Sequence, residues 1–259
     1  MTIPRNPDRS TSRDGSSARG WRALAMAALG TILFPAFQST GASPAARPTG
    51  SGWVNSAAQT DAQANLDTLI DGLQAKYSRM AGLAASFVQF YQGADGRTRR
   101  ESGRVILKRP RKARWDYTSP ERKQFVSDGK NIYFYVEGDR EATQSLVKES
   151  ADPQIPFLFL LGRGNLRRDF SRIEMLAGEP VVTAGSWVLL LVPKRAPEDF
   201  KRIIVEVNPV GFEVRRLVIF ERSGARMEFL LSNVRENYVA PDSAFTFSPP
   251  PGVVVRRVQ

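Results

Sequence analysis

The sequence predicts a mainly β (α+β) protein, an antiparallel meander that forms a barrel or a sandwich with two helical segments. From Gly82 onward, apolar residues recur at every second position, which is the period of a strand with one buried face. These runs follow one another at intervals of about eight to twelve residues and are separated by Gly, Pro, Asn and Asp. One helical pattern precedes Gly82, and another interrupts the strands after Pro156. The sheet therefore has helices with which to cover one face.

The first 42 residues resemble a secretory signal peptide. They carry five arginines against two aspartates, then the uncharged apolar run Ala23 to Phe37, then small residues up to Ala42. The alternative is an uncleaved membrane anchor, for which fifteen apolar residues are few. Residues 43–60, rich in Ala, Pro, Gly and Ser, are predicted to be a flexible tether. Residues 61–259 are then the folded domain of an exported protein.

The domain is predicted to open with a helix whose N-cap is Asp61 and which ends before Gly82. Its apolar residues are three and four apart: Leu66, Leu69, Ile70, Leu73, Tyr77 and Met80. Five large apolar residues, 157–161, lie between Pro156 and Gly162 and favour a short buried helix. The predicted strands are 83–92, 103–110, 111–117, 123–127, 131–136, 143–148, 170–176, 186–192, 202–207, 213–220, 226–236 and 253–258.

Arg109 stands out because it continues an apolar row. At period two, Val105 and Leu107 share a face with Arg109, and Pro110 then ends the strand. A cation beside an apolar surface needs acceptors for its N–H groups. The alternative is that the side chain merely extends into solvent at the end of the strand. In the second half of this hairpin, Trp115 and Tyr117 share an apolar face with Ala113.

Composition excludes several classes of function. The chain has no cysteine and no histidine, so thiol chemistry and the commonest general base and metal ligand are missing. No spacing brings two carboxylates together, and we expect neither an enzyme nor a metal site or cofactor. The net charge of +11 falls to +8 without residues 1–42, and the remaining arginines are scattered over several elements. We therefore expect no nucleic-acid partner, but contact with anionic lipid or an acidic protein surface.

Several short motifs stand in order and at consistent spacing from about Leu66 to Val255. They are Ala85-Ser86-Phe87-Val88-Gln89, Gly103 to Pro110 with Arg114-Trp115, Val126 to Lys130 followed by Ile132 to Tyr135, Pro156 to Leu161, and Phe245 to Val253. Together they resemble the LolA family of lipoprotein carriers. The resemblance implies an open, unclosed antiparallel β-barrel of about eleven strands, covered by an α-helical lid over an apolar cavity. Ala113 departs from the family, which usually has a bulky aromatic residue there.

The resemblance also implies a role for each candidate residue. Arg109 would be the latch that hydrogen-bonds to the lid, facing Tyr77 in the first helix and Leu160 and Leu161 in the short helix. Val105, Leu107, Trp115, Tyr117 and Phe157 would line the hydrophobic cavity or the lid.

The implied function is that of a periplasmic chaperone for acylated lipoproteins, working as a monomer. Its partners would be the lipoprotein-releasing ABC transporter of the inner membrane and a lipoprotein receptor of the outer membrane. The alternative is a periplasmic protein of the same fold that senses lipoproteins or transports another lipid.

Overall fold

Twelve strands form one sheet in the computed structural model, which describes residues 55–147, 164–194 and 200–258, with side chains from Asn65 onward in the first helix. The helices are α1 (Asn55–Arg79), α2 (Leu166–Asp169) and the 3-10 helix Asp242–Phe245. The strands are β1 Gly82–Gln92, β2 Thr98–Lys108, β3 Lys112–Ser119, β4 Lys123–Asp128, β5 Asn131–Val136, β6 Glu141–Leu146, β7 Phe170–Met175, β8 Trp187–Pro193, β9 Phe200–Val207, β10 Val214–Glu221, β11 Arg226–Glu236 and β12 Val254–Arg257.

The sheet is open, because its order is β12-β6-β5-β4-β3-β2-β1-β11-β10-β9-β8-β7 and the described strands β12 and β7 are its two edges. The mainly β class and the unclosed sheet are confirmed. The family resemblance implies about eleven strands, and the described sheet has twelve. The described strand pairs are antiparallel with one exception: β12 pairs with β6 in parallel.

Local sequence explains the hairpin that joins β4 and β5. Between β4 and β5, Gly129 has a φ of +97°, which only glycine adopts without strain. The Asp128 carboxylate accepts hydrogen bonds from the backbone N–H groups of Lys130 and Asn131, each at 2.7 Å. The predicted Asp-Gly turn is therefore confirmed.

Helix α1 begins at Asn55, six residues before the predicted N-cap Asp61. The earlier start fits the alanines at 57 and 58, which are strong helix formers. The last six residues of the predicted tether are thus helical, while residues 1–54 lie outside the described part of the chain. The predicted short helix at 157–161 also lies outside it.

One face of the sheet, here called the inner face, packs against α1. The predicted apolar stripe of α1 joins the core there, with Leu69, Ile70, Leu73, Tyr77 and Met80 buried and Leu66 partly buried. The sheet contributes alternate residues of its strands to the same core, including Phe87, Val105, Leu107 and Phe229. No helix in the described ranges is both long and apolar enough to cross a membrane.

The C-terminal segment, residues 238–253, crosses the opposite, outer face of β3, β4 and β5 and leads into β12. Phe245 in the 3-10 helix is 1% exposed. Phe247 stacks on Tyr133 with the ring centroids 5.3 Å apart. Asp242 forms ion pairs with two lysines: its carboxylate oxygens lie 2.6 Å from the Lys108 Nζ and 2.9 Å from the Lys112 Nζ. This segment, called the strap below, brings the chain to the β6 edge.

Candidate functional site

Arg109, which follows β2 directly, reaches the C-terminal end of α1. Its Nε donates to the Met80 carbonyl oxygen at 2.7 Å, and its Nη2 donates to the Tyr77 carbonyl oxygen. Its backbone N–H donates to the Ala81 carbonyl at 3.0 Å. The last carbonyls of a helix lack intrahelical partners and carry partial negative charge, so a guanidinium suits them. The side chain is half-buried and bonded, which excludes the alternative that it extends freely into solvent.

Burial lowers the pKa of the Arg109 guanidinium below its usual value. Hydrogen bonds that involve a charged donor are roughly twice as strong as neutral ones. Arg109 makes one to Tyr77 in the last turn of α1 and one to Met80, just after the helix. The contact can therefore close the end of α1 onto the rim of the sheet formed by the end of β2.

Tyr77 is fixed from both its main chain and its side chain. While its carbonyl accepts from Arg109, its hydroxyl accepts a hydrogen bond from the Val214 N–H at 2.9 Å, at the start of β10. Burial raises the pKa of the Tyr77 phenol, so the hydroxyl stays protonated at neutral pH. Lys76 beside it donates to the Gly211 carbonyl at 2.8 Å and forms an ion pair with Glu236 at 2.6 Å.

The predicted lining residues of the sheet lie on the inner face. Val105, Leu107 and Trp115 are each 2% exposed or less, and Tyr117 is 7% exposed. Phe87 contacts Trp115 and Tyr117 edge to face, with both centroid distances at 4.9 Å. Ala113 is fully buried opposite Leu107, so the small side chain also belongs to this apolar surface.

The structure thus brings Arg109 and Tyr77 into direct contact and gathers Val105, Leu107, Trp115 and Tyr117 on one surface. Phe157, Leu160 and Leu161 lie outside the described residues. The second acceptor of Arg109, the Met80 carbonyl, has no sequence signal because it is a main-chain atom.

Sequence reasoning missed a polar group on the same inner face. Lys123 and Glu101 form an ion pair at 2.5 Å, with their side chains 2% and 3% exposed. The Tyr117 hydroxyl donates to the Gln89 side-chain oxygen at 2.8 Å. Period two along β2, extended backward from Leu107 and Val105, could have placed Glu101 on this face. In the described ranges, no three Asp, Glu, His or Cys side chains gather in a way that could hold a metal ion.

Residues 78–248 match the family model described as Outer membrane lipoprotein carrier protein LolA. The outer-membrane lipoprotein carrier protein of Methylococcus capsulatus is 31% identical over 201 residues, covering 77% of this chain and 89% of that protein. The protein of the same name from Yersinia pestis is 29% identical over 206 residues, covering 79% and 93%. A solved LolA superfamily protein from Nitrosomonas europaea is 13% identical, with 72% and 97% coverage and a TM-score of 0.38.

Proposed function

We propose that this chain, which belongs to the LolA family of outer membrane lipoprotein carrier proteins, binds the acyl chains of lipoproteins in the periplasm and carries them to the outer membrane. Its donor would be the lipoprotein-releasing transporter of the inner membrane and its acceptor an outer-membrane receptor. Export by the N-terminal segment is part of the proposal. The curated relatives are named as carriers, which fits a binding protein without catalytic activity.

The observation that carries the proposal is an apolar inner face bounded by a cation that holds a helix. Moving acyl chains into water costs about 0.8 kcal/mol per methylene, on the order of 10 kcal/mol for a long chain. A carrier therefore needs an apolar surface that is covered in transit. Val105, Leu107, Trp115 and Tyr117 supply such a surface under α1, and Phe157 is proposed to add to it.

Delivery also requires that the cover opens. Each hydrogen bond from Arg109 contributes roughly 1.5–3 kcal/mol, so closed and open states differ by an amount that cargo binding can offset. Tyr77 supplies one acceptor of this proposed latch, and Leu160 and Leu161 are proposed as further lid contacts. A protein with two states of similar free energy can accept cargo from one partner and yield it to the next.

Replacing the proposed latch tests this function directly. In Arg109→Leu, we expect the carrier to accept lipoprotein from inner-membrane vesicles but to deliver it to outer-membrane acceptor about tenfold or more slowly. The reason is that the closed, empty state loses the latch hydrogen bonds whose formation favours release, and 1.4 kcal/mol corresponds to a factor of ten. The measurement is the amount of labelled lipoprotein held by the carrier and transferred over time. The matched control is Arg100→Leu, an exposed arginine on the outer face that packs over Phe90 at 6.0 Å.

Normal delivery by Arg109→Leu would contradict the latch role. A lipoprotein sensor of the same fold would instead show altered signalling without a sorting defect in this variant. Mass spectrometry of lipids that co-purify with the wild-type protein tests the cargo class independently. Finding no acylated species would contradict the carrier function itself.

A further inference from the structure

Four polar side chains lie together on the otherwise apolar inner face, at the end of β1 to β4 away from Arg109. They are Gln89, Glu101, Tyr117 and Lys123, here called the inner polar cluster. Gln89 lies opposite Glu101 in the β1–β2 pair, and Tyr117 lies opposite Lys123 in the β3–β4 pair. The Lys123 ammonium lies 4.4 Å from the centre of the Tyr117 ring. The cluster is thus built into four adjacent strands.

Along β2, the buried part of the inner row begins at Glu101 and passes through Val105 and Leu107 toward Arg109. The two charged residues are eight positions apart, which at the rise of a strand is about 26 Å. The aromatic rings of Phe87 and Trp115 lie beside the apolar part of this row. The inner face is therefore an apolar surface with a polar group at each end.

Glu101 has one oxygen that is bonded and one that is not. Its Oε1 accepts from Lys123 at 2.5 Å and lies 3.1 Å from the Arg99 Nε. Its Oε2 is fully buried and has no hydrogen-bond partner among the described residues. A buried carboxylate oxygen without a donor is rare in native proteins, because it has lost water without gaining a partner. Once the cover of the inner face opens, this atom can accept a hydrogen bond from a bound molecule.

The surrounding charges indicate the kind of donor. Lys123 and Arg99 already balance the Glu101 carboxylate, so a further cation would be repelled, whereas a neutral N–H would not. Arg99, two residues earlier in the same row, has a side chain that is 51% exposed, so the cluster lies a short distance from the rim. A ligand could thus place a polar group at Glu101 and an apolar chain along the row toward Leu107.

We propose that Glu101 Oε2 accepts a hydrogen bond from the amide N–H that joins an acyl chain to a peptide, with the acyl chain lying along the apolar row of the inner face. The proposal rests on the proposed function, because it concerns how the same inner face holds acylated cargo. It assigns the inner polar cluster to recognition of the amide linkage, while the apolar row binds the chain without regard to that linkage.

Three ligands with the same palmitoyl chain test the proposal: a palmitoyl-glycyl peptide, its N-methyl analogue and its ester analogue. Only the first has the N–H group. We expect the full-length protein to bind it about tenfold more tightly than either analogue, as measured by calorimetry, because a hydrogen bond to a charged acceptor is lost in both. Equal affinity for all three would overturn the proposal and leave the carrier function intact. Failure to bind any of them would contradict the carrier function instead.

Glu101→Gln sharpens the test. Its side-chain oxygen can still accept from Lys123, which turns its NH2 group toward the ligand, so the preference should vanish or reverse toward the ester. The matched control is Glu174→Gln, at a glutamate in β7 that pairs with Arg172 and has a side chain 42% exposed; it should keep the wild-type preference. An unchanged preference in Glu101→Gln would also overturn the proposal. If this variant does not fold, the comparison of ligands on the wild-type protein decides alone.

Discussion

At the scale of single residues, the ring of Phe212 lies so close to Gly72 of α1 that it leaves no room for a side chain there. A Cβ at position 72 would lie 2.2 Å from a carbon of that ring. Phe212 has a φ of +55°, uncommon for a bulky residue, and its N–H donates to the Asn208 carbonyl at 2.8 Å. The β9–β10 turn thus presents an aromatic ring to a gap that glycine leaves in the helix.

Gly72→Ala therefore tests whether packing outweighs helix propensity. In an unconstrained helix the change would stabilise by about 0.5–1 kcal/mol. Here the clash should dominate, and we expect a loss of about 1–3 kcal/mol in the free energy of unfolding, measured with urea. In a Phe212→Ala background the same change should become neutral or stabilising. A loss of the same size in both backgrounds would show that the ring is not the cause.

How far sequence predicted the site differs from residue to residue. Arg109 could be singled out because a cation in register with Val105 and Leu107 demands acceptors. Its acceptors, the Met80 and Tyr77 carbonyls, could not be found from residue types, because every residue has a carbonyl. Glu101 was missed because its partner Lys123 is 22 positions away and the pair forms only when β2, β3 and β4 assemble.

At the scale of elements, period two and turn chemistry predicted the antiparallel strands well, because each hairpin is encoded locally. The direction of β12 was not predictable in this way. Its partner β6 is more than a hundred residues earlier, and the pairing depends on the path of the strap across β3 to β5. The early start of α1 was missed because Asp61 is a plausible N-cap, although the alanines before it favour helix.

Asp242 ties the 3-10 helix of the strap to the β2–β3 hairpin, and this tie should depend on pH. Hydrogen bonds from Lys108 and Lys112 lower the pKa of the Asp242 carboxyl from 3.8 to about 2. A lowered acid pKa means that the contribution to stability is present above the ordinary pKa and is lost as the pH falls from about 4 to 2. The side chain is 68% exposed, so the effect on stability should be small and should weaken with salt.

Carbon NMR of the Asp242 carboxyl measures this tie, with an expected midpoint near 2. Lys112→Met should move the midpoint toward the ordinary value of 3.8, because one of the two donors is lost. Lys130→Met, at the β4–β5 turn, is the control and should leave it in place. A midpoint near the ordinary value in the wild-type protein would contradict the ion pairs of the strap.

Phe245 should anchor the strap more strongly than β12 does. The ring is 1% exposed, and Phe245→Ala should lower the free energy of unfolding by about 3–5 kcal/mol. Val254 in β12 is 64% exposed, and Val254→Ala should change the free energy of unfolding by no more than about 0.5 kcal/mol. Equal effects in thermal or urea denaturation would mean that the buried Phe245 ring does not anchor the C-terminal segment more strongly than β12 does.

At the scale of the whole described unit, α1 joins two parts of the open sheet that do not pair with each other. Arg109 holds the helix from the end of β2, and Val214 holds it from the start of β10, with β1 and β11 between them. Tyr77 takes part in both contacts, through its carbonyl and its hydroxyl. The helix is thus a bridge across the inner face, and opening that face requires movement at both supports or bending between them.

If α1 is one rigid bridge, its two supports should be energetically coupled. Arg109→Leu removes the first support, and Tyr77→Phe removes the hydroxyl that accepts from Val214 while keeping the carbonyl. Each single change should cost about 1–3 kcal/mol. The double variant should lose less free energy of unfolding than the sum of the two single losses, by at least about 0.5 kcal/mol. The reason is that a helix end already released no longer holds the other contact in place.

Hydrogen exchange of the α1 amides, together with urea unfolding, measures this coupling. Protection in the last two turns of α1 should fall in both single variants and should fall little further in the double variant. Tyr133→Phe combined with Arg109→Leu is the matched control, because Tyr133 lies on the outer face against Phe247 and should contribute additively. Strict additivity for Tyr77 as well would mean that the two supports act on the helix independently. Releasing Arg109 would then free only the last turn of α1 and leave the β10 side of the inner face covered.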